Sequence, residues 1–200
     1  MQINKDKLAR IISTVFVPPS FTIIVFTIFA FYLETDSTKI LVTILVALLF
    51  GFISPIVLFL HYRKRGKIVD IDASIKEERT VPMSISLIFY ITGLIFLLLY
   101  KVNIISIAFW FCYISNTLIA ISINKKWKIS AHTMGASGPI AAITYVFGPV
   151  ALMFLAITIL VGWSRIQLKC HSFAQVMVGG IFAFVSTYVQ IYLIVSYFSA

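Results

Sequence analysis

A chain of 200 residues with 60% hydrophobic and only 12% charged content, at a mean hydropathy of +1.03, does not describe a soluble domain; ordinary chains are about 25% charged. Runs of about twenty apolar residues recur from end to end, and no stretch alternates polar and apolar residues as a barrel strand would. The composition therefore predicts an all-α, polytopic transmembrane bundle. Its net charge of +9 reads as topology signal and contact with anionic headgroups, not as nucleic-acid binding.

Residues 1–16 begin basic, with Lys5, Lys7 and Arg10, and become amphipathic. No small-x-small cleavage site follows, and Pro18-Pro19 suits a helix start, so the chain is expected to open with an uncleaved interfacial helix and then a span over about 18–33. The polar loop Glu34 to Lys39 precedes a second span over about 40–60. Next comes the longest polar stretch, His61 to Pro82, read as a loop rich in both signs of charge. A third span over about 83–100 and a fourth over about 104–123 lead to a basic loop, Asn124 to Lys128. Ser130 to Trp163 is too long for one crossing, and Gly148-Pro149 near its middle is a turn signal. It divides into two short helices, about 134–147 and 150–163, each ~21 Å long at 1.5 Å per residue. The last helix covers about 172–198, with Gly179-Gly180 as a point of close packing or flexibility. The whole is one membrane domain of six to seven hydrophobic helices: N-terminal helices over about 1–60, a core over about 61–180, and the last helix.

With that order, the N-terminus and the loops 61–82, 124–133 and 164–171 lie at one end of the bundle. They hold all of the 16 Lys and Arg residues except Lys39 and Lys101, and the positive-inside rule makes that end cytoplasmic, with the plasma membrane as the expected location. Cys112 and Cys170 fit no disulfide framework or metal spacing and read as small apolar residues. Asn116 and Gln190, inside spans, read as interhelical hydrogen-bond partners.

Three polar clusters converge on the basic end: Lys76 to Pro82 (KEERTVP), Lys128 to His132 (KISAH) and Ser164 to His171 (SRIQLKCH). Guanidinium and ammonium groups at a membrane edge suit the nonbridging oxygens of a phosphate ester. Arg79, Arg165 and Lys76 can supply them. Imidazoles can supply a nucleophile and a general acid, and His171 and His132 are the candidates. Ser130 and the N–H groups opening the 134–147 helix add anion donors.

These residues resemble the type 2 phosphatidic acid phosphatase superfamily of integral-membrane lipid phosphatases. Its third motif is S-R, five residues, H, three residues, D; here Ser164-Arg165, five residues, His171, three residues and Gln175 stand in that register. Its second motif, P-S-G-H, is matched at Ser130 and His132 of Ile129-Ser130-Ala131-His132. Its first, K, six residues, R-P, is matched poorly: Arg79 precedes Pro82 by three, and Lys76 is the nearest upstream lysine. The similarity covers about residues 61–180. It implies that His171 attacks phosphorus to form a phosphohistidine, and that His132 protonates the leaving oxygen and then activates water. It further implies that Arg79, Arg165, Lys76, Ser130 and Ser164 bind the phosphate, with no metal cofactor. The substrate would be a lipid phosphate or an isoprenoid (di)phosphate.

The departure is Gln175, where the family has Asp. Four residues after His171 on a helix, its amide oxygen can accept the His171 Nδ1–H but brings no negative charge. Slower turnover is expected, or a site in which Glu77, Glu78 or Asp72 takes over. Two other readings compete. One is a lipid-phosphate binding or transport protein with little or no turnover. The other is a magnesium-dependent membrane prenyltransferase using Asp70 and Asp72.

Overall fold

The computed structural model describes residues 4–72 and 75–199. Among them are eight helices in chain order and no strand, the all-α bundle that the composition calls for. Five of these helices are long and apolar enough to cross a membrane, and the bent first pair makes up to six. The protein is a multi-pass helical membrane protein.

Helix α1, Lys5–Val15, is capped by Asn4, whose side chain accepts from the Asp6 N–H. Leu8, Ile11 and Val15 lie exposed along it while Ala9 and Ser13 are buried, the pattern of a helix lying in an interface. Pro18 and Pro19 open α2, Pro18–Leu33, at a 48° bend from α1. Asp36 caps α3, Ser37–Lys64, through the Thr38 and Lys39 N–H groups. Midway, Ala47–Ile53 is wound as π-helix. Pro55 follows directly and cannot donate back to Gly51, and a π stretch absorbs that missing bond. Helix α4, Glu77–Leu99, and α5, Ile104–Lys126, form a hairpin whose second arm is capped by Asn103.

The chain then breaks as expected. Helix α6, Ala131–Phe147, ends at Gly148, whose φ of +78° favours glycine. A 3₁₀ turn, Pro149–Phe154, leads into α7, Leu155–Gln167, and α8 is Phe173–Ser199. Helix α6 is buried nearly all round from Ala136 to Ala142 and packs most extensively on α8. It is the bundle's central element, as an apolar helix without a polar face should be.

Two boundaries differ from the sequence reading. The stretch His61 to Pro82 is not all loop: α3 runs on to Lys64, and α4 begins at Glu77, so Arg79 sits in its first turn. Pro82 is tolerated near the helix start, where few intrahelical bonds are lost. Likewise α6 starts at Ala131, which puts His132 on the helix.

The aromatic core lies at the end away from the basic loops. Phe26 stacks on Phe109 at 5.0 Å and meets Trp110 edge-on at 5.1 Å. Trp110 donates from Nε1 to the Tyr90 carbonyl at 2.7 Å. A Cβ on Gly93 would stand 2.4 Å from the Trp110 ring, so glycine is what lets α4 and α5 close over it. Asn116 and Gln190 pair across helices as expected: Asn116 Oδ1 accepts from Ser186 Oγ at 2.7 Å and from Gln190 Nε2 at 3.1 Å.

Candidate active site

The loop between α7 and α8 sets the geometry. Helix α7 ends in a Schellman motif: the Lys169 N–H donates to the Ile166 carbonyl at 2.9 Å and the Cys170 N–H to the Arg165 carbonyl at 3.0 Å. Lys169 takes the left-handed position, φ +55°, that such a cap requires. The His171 N–H also reaches the Arg165 carbonyl, at 3.3 Å. The five-residue spacing between Arg165 and His171 is thus the length of one closed turn.

Helix α8 starts with a capping box. The Gln175 N–H donates to Ser172 Oγ at 3.3 Å, and Gln175 Oε1 accepts from the Ser172 N–H at 3.2 Å. The same Oε1 lies 3.1 Å from His171 Nδ1. An amide oxygen only accepts, so the proton sits on Nδ1 and Nε2 keeps its lone pair. That lone pair faces Arg79 Nη2 at 3.4 Å, while Arg79 Nη1 donates to the Ile129 carbonyl at 3.3 Å. Burial first, then the charges of Arg79, Lys128 and Arg165, bring the His171 ring down to about 3, against the Gln175 bond that favours its charged form. At neutral pH His171 is an uncharged imidazole, only 6% exposed, with Nε2 as its acceptor.

Two close approaches hold α6, α7 and α8 in register around it. A Cβ on Gly162 would stand 2.6 Å from Val176, and one on Gly179 would stand 2.8 Å from Thr133 Oγ1 and 3.0 Å from the Ser130 carbonyl. These bring the start of α6 against α8. His132, half-buried there, is near enough to Arg165, Asp72, Arg79 and His171 to interact with each electrostatically.

Arg165 is fully buried. Its Nη1 donates to Asp72 Oδ1 at 2.5 Å and to Ser13 Oγ at 2.6 Å, while Nε and Nη2 have no partner among the described residues. Asp72 Oδ2 takes a second guanidinium, Arg10 Nη1, at 2.6 Å. Burial works to raise the Asp72 carboxyl, but the hydrogen bonds from Arg10 and Arg165 prevail and hold it below the usual carboxylate range. Lys128 donates to the Cys170 carbonyl; burial and the neighbouring Arg79 charge lower its ammonium below the usual value.

The residues named from sequence separate into two groups. His171 contacts both Arg79 and Gln175, with His132 and Arg165 close by. Lys76 is not brought to them: it donates to the Lys125 carbonyl at 3.2 Å and pairs with Glu77 at 3.7 Å. Ser130 is the cap of α6, fully buried with its Oγ accepting from the Thr133 N–H, and Ser164 donates to the Val161 carbonyl inside its own helix. The Ser164 O–H is thus already used within its own helix, while Ser130 Oγ serves as an acceptor in the cap. Among the described residues no carboxylate replaces Gln175 at His171: Glu78 accepts from the Val69 N–H, and Asp72 serves Arg165. Asp70 Oδ1 accepts from the Asp72 N–H at 2.7 Å. Both carboxylate oxygens of Asp72 are meanwhile taken by guanidiniums.

Sequence reading missed the Arg10–Asp72–Arg165 bridge and Lys128. Their only signal was position: all lie in segments assigned to the same end of the bundle.

A cavity of about 530 Å³ opens beside this cluster. Arg10, Asp72, Arg79 and His132 line its polar end, and it continues between the helices past Ala120 and Asn116 to Phe109. No family model, curated protein or solved structure matches the chain.

Proposed function

We propose that the protein is a phosphohydrolase for a lipid phosphate or isoprenoid (di)phosphate, acting through a phosphohistidine at His171. The observation that carries this reading is the neutral His171 ring, oriented through Nδ1 by Gln175 and facing Arg79 through Nε2. A nucleophilic histidine needs that tautomer, and a phosphate inserted between Arg79 and Nε2 would be bound and attacked by neighbouring groups.

In the first step Nε2 forms a bond to phosphorus, the ester P–O bond breaks, and its electron pair leaves on the alcohol oxygen, which takes a proton from His132. The negative charge of the bound phosphate favours protonated His132 for that role. In the second step His132 takes a proton from water, the new P–O bond forms, the N–P bond breaks, and phosphate and free His171 result. The unpartnered Nε and Nη2 of Arg165 are the donors best suited to oxygens that gain charge in transit. The positive end of the bundle, with the N-terminus, would face the cytoplasm of a cell whose plasma membrane holds the protein.

The test is phosphate release by detergent-solubilised protein, together with an alkaline denaturing quench to trap phosphohistidine. Wild type should release phosphate and carry an acid-labile, base-stable phosphoryl group. His171→Ala should lose both, by on the order of 10³-fold or more. Equal behaviour of the two proteins on every lipid phosphate would leave a binding or transport protein instead.

A further inference from the structure

The cavity says more about the substrate than the polar cluster does. Its lining on α5 follows one stripe, Phe109, Tyr113, Asn116, Ala120 and Asn124, at steps of three and four residues. From Asn124 to Phe109 that stripe is ~22 Å long at 1.5 Å per residue, most of a hydrocarbon core of ~30 Å. The volume of about 530 Å³ lies within the range of about 300–1,000 Å³ for pockets that enclose one small ligand. The space is therefore long, with its cationic end at Arg10 and Arg79.

Two polar pairs in the deeper part of the lining are already made. Thr22 Oγ1 donates to Tyr113 Oη at 3.0 Å, and Asn116 Nδ2 donates to Thr187 Oγ1 at 3.0 Å. An aliphatic chain passing these pairs leaves no polar group newly orphaned.

The geometry points to a substrate with one aliphatic chain, a phosphate or diphosphate monoester of a single prenyl or alkyl chain. Its tail threads the bundle along α5 while its phosphate rests at Arg79. This rests on the phosphatase reading and narrows it: the two tails of a glycerolipid together call for more than a volume of about 530 Å³. Lipid tails are as apolar outside as inside, so burial alone does not favour entry. Selection comes from fit and from the cationic mouth.

The experiment uses a long-chain alkyl monophosphate bearing a diazirine at the far end of its chain, photolysed on the intact His171→Ala protein in detergent. Crosslinks are expected on α5 between Phe109 and Thr117, removed by excess unmodified alkyl phosphate. Dioleoyl phosphatidate should compete about tenfold or more weakly, a difference near 1.4 kcal/mol. Ala120, 2% exposed on the cavity wall, is replaced in a second protein: Ala120→Phe should abolish the deep crosslink and, in a His171-intact chain, shift turnover toward short-chain phosphates. Ala183→Leu, from the opposing helix, does the same should the first variant fail to fold. Crosslinks only at lipid-facing residues such as Leu118, equal competition by phosphatidate, or an unchanged chain-length profile would each overturn the assignment. Labelling does not need turnover. Deep crosslinks without phosphate release would keep the tail site and sink the phosphatase, and phosphate release with surface labelling alone would do the reverse.

Discussion

The two ends of this bundle are held together differently. At the aromatic end, Phe26, Phe29, Phe109 and Trp110 meet over Gly93 and Gly51, and the contacts are numerous and weakly directional. At the basic end, Arg79, Arg165, Asp72 and His171 are placed by a few hydrogen bonds, each with one geometry. Packing distributes its energy over many atoms, whereas a buried charge with one partner concentrates it. Stability should therefore respond at both ends, and chemistry only at one.

The largest effect of this kind on stability is expected for Arg165→Ala, which leaves Asp72 facing Arg10 alone. Removing one member of a buried pair costs about 3–5 kcal/mol, and the remaining Arg10 keeps the loss toward the low end. Thermal unfolding in detergent reads it, and phosphate release should fall with it. Arg165→Ala and Asp72→Asn losing nothing would show that the bridge holds little.

Gly93→Ala forces a methyl against Trp110 and should cost about 1–3 kcal/mol. Activity per folded molecule should stay unchanged, because the residue is far from His171. A variant with normal melting but impaired turnover would contradict the division between the ends.

Gln175→Glu keeps the length of the side chain and its place in the capping box while adding a negative charge at His171 Nδ1. Turnover should rise about tenfold, less than the ~10⁴ seen for acid-to-amide changes in a triad, since the tautomer is already correct. The pH dependence gives a second readout. His171 is depressed from its ordinary 6.5 to about 3, so between those values the unfolded chain binds a proton that the folded one does not. Stability is lost as pH falls through that window, by up to about 1.4 kcal/mol per pH unit. The Glu variant, with a raised folded value, should lose less, and melting curves at pH 4–7 compare the two.

The smallest change is Lys169→Gly. Lys169 pays for its left-handed backbone, and glycine adopts it without strain but loses more chain entropy on folding, so a net gain of roughly 0.5 kcal/mol is expected. Turnover should be unaltered, since the Schellman turn that spaces Arg165 from His171 is kept. Loss of activity in that variant would point to a role for the Lys169 ammonium.

Much of the architecture was legible in the sequence. Apolar length marked the spans, Pro18-Pro19 and Gly148-Pro149 marked the breaks, and Asn4, Asp36 and Asn103 are the caps that the helix starts need. The spacing of Arg165, His171 and Gln175 also survives folding unchanged, because one cap and one capping box carry all three. These features are local: each depends on residues within a turn or two, which a sequence states directly. At Lys76, Ser130 and Ser164 the residue type suits a phosphate, and folding gives each side chain a backbone partner that the spacing did not announce.

What only the tertiary structure decided is which distant charges meet. Asp72 bridges Arg10, 62 residues away, and Arg165, 93 residues away. Arg79 reaches His171 across 92. Hydropathy and charge asymmetry put all five at one end of the bundle, but a helix can turn any face toward its neighbour. The faces were chosen by the close approach of Gly162 to Val176 and of Gly179 to Thr133, and by the same packing that left a cavity beside α5. Shape of that kind arises between helices, so no single stretch of sequence contains it.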